Sequence, residues 1–277
     1  MIIKNISCYR DENIYQGHSF HTQPHDKYFS IHTHDICEII YLNRGDVSVI
    51  IGEKVYKMPE ESLVIFRANV PHRIRIDGSD VPYERHNILF DENKLAKGIF
   101  HKLPKELDIV KCGKKTRITE LFEKIDYYYD NFQEEDLSVL IPNTVEEILY
   151  NLYLEPLDNL EVNRMSINPI ISGAVNYINR HYTEPITIED ISREICVTKS
   201  HLQHLFVEHM NISPKKYVNL KRLSKAQKLI KAGEKPSEIF SACGFREYST
   251  FFRNYSNYFG YTPSQKDEIV NERQIEQ

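Results

Sequence analysis

The chain has 277 residues, 41% of them apolar and 27% charged, a balance that supports packed cores and excludes a disordered chain. This length favours two domains and a connector over one core. The net charge of -5 hides an asymmetry, with 14 Lys/Arg against 9 Asp/Glu over 168–267 and 20 against 28 over 1–167, so a polyanionic partner suits only the C-terminal end.

The opening MIIKNISCYRDENIYQG breaks every apolar run with charge. No secretory core or membrane span is expected, and the cytoplasm is the predicted location. The cysteines at 8, 37, 112, 196 and 243 are scattered without a C-x-x-C pair, which argues against a disulfide framework or zinc knuckle. From about 28 to 90, short alternating runs such as IHTHDICEIIYL, DVSVIIG, SLVIF and HRIRI, separated by turn signals at Asn43-Arg44-Gly45 and Asp77-Gly78, predict an antiparallel sandwich or barrel. Within it, His32, His34 and Glu38 share a strand face by period two. His72, in Asn69-Val70-Pro71-His72, is placed to join them from a neighbouring strand. Three imidazoles and a carboxylate suit the polar lining of a ligand pocket, hydrogen bonding of strand ends, or a divalent metal; the ligand pocket is the favoured reading, with no metal assigned. The spacing resembles the first metal motif of cupins, but the Pro-x-Gly that normally precedes the later histidine is missing.

From 116 the period changes to that of amphipathic helices. Ile118, Leu121, Phe122, Ile125 and Tyr129 mark one, and Val145, Ile148, Leu149 and Leu152 another, with a break expected around Pro142. Their apolar faces need a cover, either the sheet or a second copy; a dimer face is preferred. The stretch 155–169, with Pro156 and Pro169 and few periodic apolar residues, predicts a linker.

Beyond it the pattern is helical throughout. Thr187-Ile188-Glu189-Asp190 has the form of a capping box, and Ile188, Ile191 and Ile195 supply its buried stripe. After a break at Cys196-Val197, Thr198 caps a second helix that turns Leu202, Leu205, Phe206 and His209 inward and Lys199, Ser200, Gln203, His204 and Val207 outward. A polar outer face on the second helix of a tight hairpin is the arrangement that reads base edges in the major groove. The pattern recurs after a long helix over about 214–231: Pro236-Ser237-Glu238-Ile239, a turn at Cys243-Gly244-Phe245, and a helix over 247–258 that buries Phe251, Tyr255 and Phe259 while presenting Tyr248, Ser249, Phe252 and Arg253. Two such helices held by one stiff helix fit adjacent groove segments about 34 Å apart.

Residues 170–266 resemble the DNA-binding domain of AraC-type (AraC/XylS) transcription regulators. The strings that carry the resemblance are Thr187 to Ile191, Val197 to Phe206, Ser213-Pro214-Lys215-Lys216-Tyr217 with Arg222-Leu223 and Ala226, and the closing Cys243-Gly244-Phe245, Ser249, Phe251, Arg253 and Gly260-Tyr261-Thr262-Pro263-Ser264. Residues 28–91 resemble the cupin-like effector domain of the same family, with Tyr83-Glu84-Arg85-His86 on its closing strand. The resemblance implies an α+β chain in which 1–112 bind an effector, 113–160 form a helical dimerisation segment, 161–168 link, and 169–268 carry two helix-turn-helix units. It implies that Lys199, Ser200, Gln203, His204, Tyr248, Ser249, Phe252 and Arg253 contact double-stranded DNA. It further implies a homodimer, a small effector of sugar or metabolite type, and an activator that meets RNA polymerase, with no cofactor, catalysis or membrane partner. Departures are Tyr255-Ser256-Asn257 where Phe-Lys-Lys is usual, Asp267 where Arg is common, and Asn211 in place of a glycine. The missing cations predict weakened phosphate contact; Asn tolerates the left-handed backbone, so Asn211 is expected to be neutral. Two other readings compete: a metal-dependent cupin enzyme with a helical appendage, and a regulator-like fold whose C-terminal part binds protein. No nucleophile–base pair or phosphate-binding glycine loop supports catalysis.

Overall fold

The computed structural model describes residues 3–105, 107–113, 116–154, 164–165 and 168–265. The strands are β1 (Ile3–Arg10), β2 (Ile14–His21), β3 (Cys37–Arg44), β4 (Asp46–Ile51), β5 (Lys54–Met58), β6 (Ser62–Phe66), β7 (His72–Gly78), β8 (Tyr83–Phe90), β9 (Ile109–Lys111) and β10 (Arg164–Met165). They form a six-stranded sheet, β1-β2-β8-β3-β6-β9, and a four-stranded sheet, β10-β5-β4-β7, with antiparallel pairing throughout. The alternation in the sequence is the cause. Ile40, Leu42, Val64 and Phe66 of the larger sheet meet Val47, Val49, Tyr56, Met58, Ile74 and Ile76 of the smaller one, so each strand buries one face in the space between the sheets. The fold class expected from the sequence, a β-sandwich followed by a helical domain, is the one observed.

The outer face of the larger sheet is also apolar, and two helices cover it. In α1 (Arg117–Asn131) and α2 (Glu134–Leu154), Ile118, Leu121, Phe122, Ile125, Ile141, Val145, Ile148 and Leu149 share one cluster with Ile14, Ile39, Tyr41, Leu63, Ile65, Ile88 and Phe90. The face reserved for a second copy is therefore spent within the chain, because the strands alternate apolar residues toward both sides. The break expected at Pro142 is not there either: α2 runs through Pro142. A proline inside a helix costs about 3 kcal/mol. The buried pairs Leu137 and Ile141 before it and Val145 and Ile148 after it offset that cost, at about 1.5–3 kcal/mol for each side chain removed from water.

The predicted linker falls mostly outside the described residues, but Arg164–Met165 within it form β10 and pair with Tyr56 and Val55 of β5. The remaining helices are α3 (Pro169–His181), α4 (Ile188–Glu194), α5 (Lys199–Met210), α6 (Pro214–Lys231), α7 (Pro236–Ile239) and α8 (Tyr248–Phe259). Polar side chains start most of the longer ones. Asn168, Thr187, Thr198 and Ser213 each accept a backbone N–H of the first turn, and Thr187 with Asp190 completes the capping box. One cluster packs Ile171, Val175, Ile178, Ile191, Leu202, Phe206 and Tyr217; a second packs Leu223, Ala226, Ile239, Cys243, Phe251, Tyr255 and Phe259. α6 contributes to both and fixes their separation.

Candidate functional site

The two helical hairpins have the geometry that groove reading needs. In the first, the turn between α4 and α5 passes through Cys196 at φ +55°, and α5 buries Leu202, Phe206 and Met210. Lys199, Ser200, Gln203 and His204 are exposed. Lys199 is not free, because its ammonium pairs with Glu189 of α4; it braces the hairpin as well as facing outward. In the second, Gly244 stands at φ +92°, and α8 buries Phe251, Tyr255 and Phe259. Tyr248, Ser249, Phe252 and Arg253 are exposed. The structure thus places all eight predicted contact residues on the solvent faces of the second helices. Of the positions that depart from the basic pattern, Asn257 is exposed and Ser256 half-buried, while Asp267 lies outside the described residues.

The sensor-side cluster also comes together. His32 and His72 exchange backbone hydrogen bonds of 3.0 and 2.9 Å, which brings the loop before β3 against the start of β7. Ligand atoms of His32, His34, Glu38 and His72 all lie within 4.8 Å of one another. Glu38 Oε2 is 3.3 Å from His34 Nε2 and 3.2 Å from His72 Nε2. Burial opposes charge on Glu38, but the two imidazoles outweigh it and hold its pKa well below the usual value. Burial also opposes charge on His34, yet its bond to Glu38 prevails and raises the pKa. For His32 burial dominates, with the neighbouring imidazoles, and lowers it to about 3.

Further inward-facing groups escaped the sequence reading. Tyr83 lies between the sheets, and Arg85, two residues on, shares its face and sits opposite Ser19 of β2. The guanidinium lies 5.5 Å from the Tyr83 ring and 6.0 Å from Phe29. Arg85 Nε and His21 Nδ1 are buried without hydrogen-bond partners among the described residues. Period two along Tyr83, Arg85, Asn87 and Leu89 is the signal that would have found this face.

Most of the contact between the two halves was also invisible in sequence. Tyr258 of α8 accepts from Thr33 N–H at 2.9 Å and donates to Thr33 C=O at 3.0 Å. Asn211, left-handed at φ +58°, donates from its amide to the carbonyls of Asp26 and Phe29, so the residue expected to be neutral is a tie between the halves. Arg73, fully buried, pairs with Asp26 and donates to the His209 carbonyl at 3.1 Å. Lys231 pairs with Asp35.

These features have counterparts in known proteins. The model of the AraC-like ligand binding domain matches residues 6–105, and that of a helix-turn-helix domain matches residues 191–268. The chain belongs to the AraC-type regulators. It is 28% identical over 149 residues to the lactose operon transcription activator of Staphylococcus xylosus, covering 53% of this chain and 53% of that protein; it thus spans about half the length of that relative. It is 24% identical over 246 residues to the HTH-type transcriptional regulator YdiP of Escherichia coli, covering 84% of this chain and 79% of the other. Apo ToxT from Vibrio cholerae aligns over 91% of this chain and 96% of its own at 15% identity, with a TM-score of 0.38. Among the described residues, no helix is long and apolar enough to cross a membrane.

Proposed function

We propose that this AraC-type protein is a sequence-specific, double-stranded-DNA-binding transcription regulator whose N-terminal half senses a small molecule. The observation that carries the reading is the pair of solvent-facing helices α5 and α8, each with a buried inner face and an exposed outer one, mostly polar on α5 and mixed polar and aromatic on α8, spaced by a single helix. Ser200, Gln203 and His204 on α5, and Tyr248, Ser249, Phe252 and Arg253 on α8, are the groups assigned to the duplex. Lys199 contributes charge at the hairpin edge.

The effector enters the space between the sheets, where Arg85 and His21 offer unpartnered nitrogens beside Tyr83 and Asn87, and where His32, His34, Glu38 and His72 supply further polar groups. A buried donor without a partner costs about 1–3 kcal/mol, and a polar ligand recovers that cost on binding. The name of one relative, a lactose operon transcription activator, supports a carbohydrate or related metabolite and an activating role in which RNA polymerase is the partner. Self-association uses what α1 and α2 leave exposed after covering the sheet, namely Tyr127, Phe132, Val139, Tyr150, Tyr153 and Leu154. Catalysis has no part in this reading.

The test is footprinting and fluorescence anisotropy of the full chain on a duplex spanning the region upstream of its own coding sequence. Protection of two major-groove segments separated by one helical turn, about 10 base pairs, with affinity falling as salt rises, is the expected result. Salt-independent behaviour, or no binding at any salt, overturns it in favour of a protein-interaction module.

A further inference from the structure

We infer that the effector of the N-terminal half is a small hydroxylated monocarboxylate of sugar-acid type, its carboxylate held by Arg85 with His21 beside it; this rests on the sensor reading above and narrows its ligand class. The β2–β8 register sets Gly17 opposite Asn87, Ser19 opposite Arg85 and His21 opposite Tyr83, and period two turns all six toward the space between the sheets. A guanidinium is permanently charged and offers five N–H donors. Among the described residues Arg85 makes one hydrogen bond, from Nη1 to the Tyr83 hydroxyl at 3.4 Å, and no ion pair, and its Nε is buried without a partner. Glu38 bears on its charge, but the Glu38 Oε2 is shared by His34 and His72 at 3.3 and 3.2 Å.

The free edge of Arg85 is the one that fits a carboxylate. With Nη1 turned to Tyr83, Nε and Nη2 remain as two parallel donors, the side-on fork that a carboxylate accepts bidentately. His21 Nδ1, also buried without a partner among the described residues, stands diagonally across the register. Burial and the Arg85 charge lower the His21 pKa to about 4, so at neutral pH this pair carries one positive charge and a neutral imidazole. The Tyr83 and Phe29 rings flank both groups, at 5.5 and 5.9 Å from the His21 ring and 5.5 and 6.0 Å from the guanidinium. A monoanion balances that charge. A phosphate dianion would leave excess negative charge away from water, which is costly.

The rest of this face is neutral and hydrogen-bonding. A Cβ at Gly17 would sit 2.6 Å from the Tyr15 hydroxyl and 2.9 Å from Asn87 Oδ1, so the missing side chain lets both polar ends converge next to Ser19. Tyr15 feels the Arg85 charge, which sets its hydroxyl near the guanidinium. Two hydroxyls and an amide are groups that recognise the hydroxyls of a carbohydrate chain, while Tyr83 and Phe29 offer apolar faces. Cation at one end and neutral hydrogen-bonding groups along the body together describe a sugar acid. A neutral sugar would leave Arg85 without a counter-ion, and an aliphatic acid would leave Tyr15 and Asn87 unanswered.

The experiment follows thermal unfolding of the full chain in sodium acetate, sodium gluconate and D-glucose, each against sodium chloride at equal ionic strength. Acetate, the carboxylate alone, should raise the Tm by about 2–4 °C once it exceeds its Kd several-fold. Gluconate should do so at a concentration at least about 10-fold lower, one or two further hydrogen bonds being enough for that factor, and glucose should do nothing. Arg85→Met keeps the stem against the rings and removes the charge; it should abolish both responses and leave the ligand-free chain as stable as wild type or more so. Arg85→Lys keeps the charge without the fork and should weaken both at least about 10-fold, with circular dichroism confirming that the two variants fold. Saturating gluconate should change affinity for the upstream duplex about 5-fold or more, an effect absent from Arg85→Met. No carboxylate-specific response, or one that both variants retain, overturns the site, and so does a ligand-free Arg85→Met chain less stable than wild type, since the charge would then already be satisfied. Equal potency of acetate and gluconate overturns the sugar-acid class. Unchanged DNA affinity overturns the effector role, and a full carboxylate response with no DNA binding under any condition overturns the regulator reading while the site stands.

Discussion

Replacing Gly244 by alanine tests how the second hairpin is built. A Cβ at this position would sit 2.8 Å from Arg222 Nε and 2.9 Å from both Thr183 Cα and the Tyr182 carbonyl oxygen. Two of those atoms are backbone and cannot move alone. The third belongs to a guanidinium that donates to the carbonyls of Tyr182 at 2.6 Å and Glu184 at 2.8 Å, so displacing it breaks the bonds that hold α6 to the end of α3. Two costs add. The left-handed backbone at φ +92° costs a residue with a side chain roughly 1–2 kcal/mol, and forcing an extra methyl into a packed site costs roughly 1–3 kcal/mol more. Gly233→Ala is the control: its φ is +95°, and nothing lies within 4 Å of its Cβ position. It should show the backbone cost alone. The chain has no tryptophan, so urea unfolding is followed by the helical circular-dichroism signal at 222 nm. The expected order is Gly244→Ala destabilised by about 2–5 kcal/mol and Gly233→Ala by about 1–2 kcal/mol, with only the former weakening DNA binding through α8. Equal losses for the two variants would refute the close approach of Arg222 and Tyr182 to the turn.

Three further outcomes follow from the same structure. Gln203→Ala should relax base preference at one position by about 1–3 kcal/mol with little change in salt slope, whereas Asn257→Lys, exposed one turn beyond Arg253 on α8, should tighten all sequences and steepen the slope by about one unit; anisotropy titrations of cognate and scrambled duplex at several salt concentrations separate the two, and a sequence-dependent effect of the lysine would contradict the assignment. Phe122→Ala removes a fully buried ring stacked 4.5 Å from Tyr41 and should cost about 3–5 kcal/mol, and a loss below about 1 kcal/mol in urea unfolding would show that α1 does not seal the sheet. His18 lies 2.9 Å from Asp126 and 3.0 Å from Glu84; burial opposes its charge, but the carboxylates outweigh it and raise the pKa, so its stabilisation is full below the unfolded value of about 6.5 and is lost as pH rises through the folded one. The stability gap between wild type and His18→Gln should therefore hold steady below about pH 6.5 and narrow above it, and a gap that widens would reverse the sign.

What the sequence disclosed was local. The Thr187–Asp190 box, the inward Leu202 and Phe206, the left-handed Asn211 and the turn at Gly244 each follow from a few adjacent residues, and each is where the pattern placed it. His32, His34, Glu38 and His72 converge as expected, but by another route: His32 and His34 stand in the loop before β3, held by the isolated bridge of His32 to His72, rather than on a strand face shared with Glu38. The path of α2 through Pro142 was hidden because a local rule for proline was overridden by burial that spans four turns. The cover over the larger sheet was hidden because an amphipathic stripe shows that a partner exists, not which one. The ties between the halves were hidden for a third reason: Tyr258 and Thr33 are 225 residues apart and Asn211 and Asp26 are 185 apart, and a polar residue on a helix carries no mark of the distant carbonyl it will meet.

Those ties constrain how a signal can pass between the halves. All eight residues assigned to DNA are already exposed, so the sensor half does not act by uncovering them. Segment 26–35 instead holds both reading units at once: Asp26 and Phe29 receive Asn211 at the end of α5, Ile31 reaches Met210, and Thr33 grips Tyr258 on α8. Since α6 is a single stiff helix between the two units, a shift of this segment cannot move them independently without breaking one set of bonds. A change at the cluster or between the sheets that displaces this segment is therefore expected to break one set of bonds and release one reading unit from the sensor half while the other stays held, which bears on whether α5 and α8 both fit one face of a duplex. Affinity on a duplex whose two half-segments are moved apart by one or two base pairs should then respond to occupancy of the sensor half, and a spacing preference that ignores occupancy would sever this link.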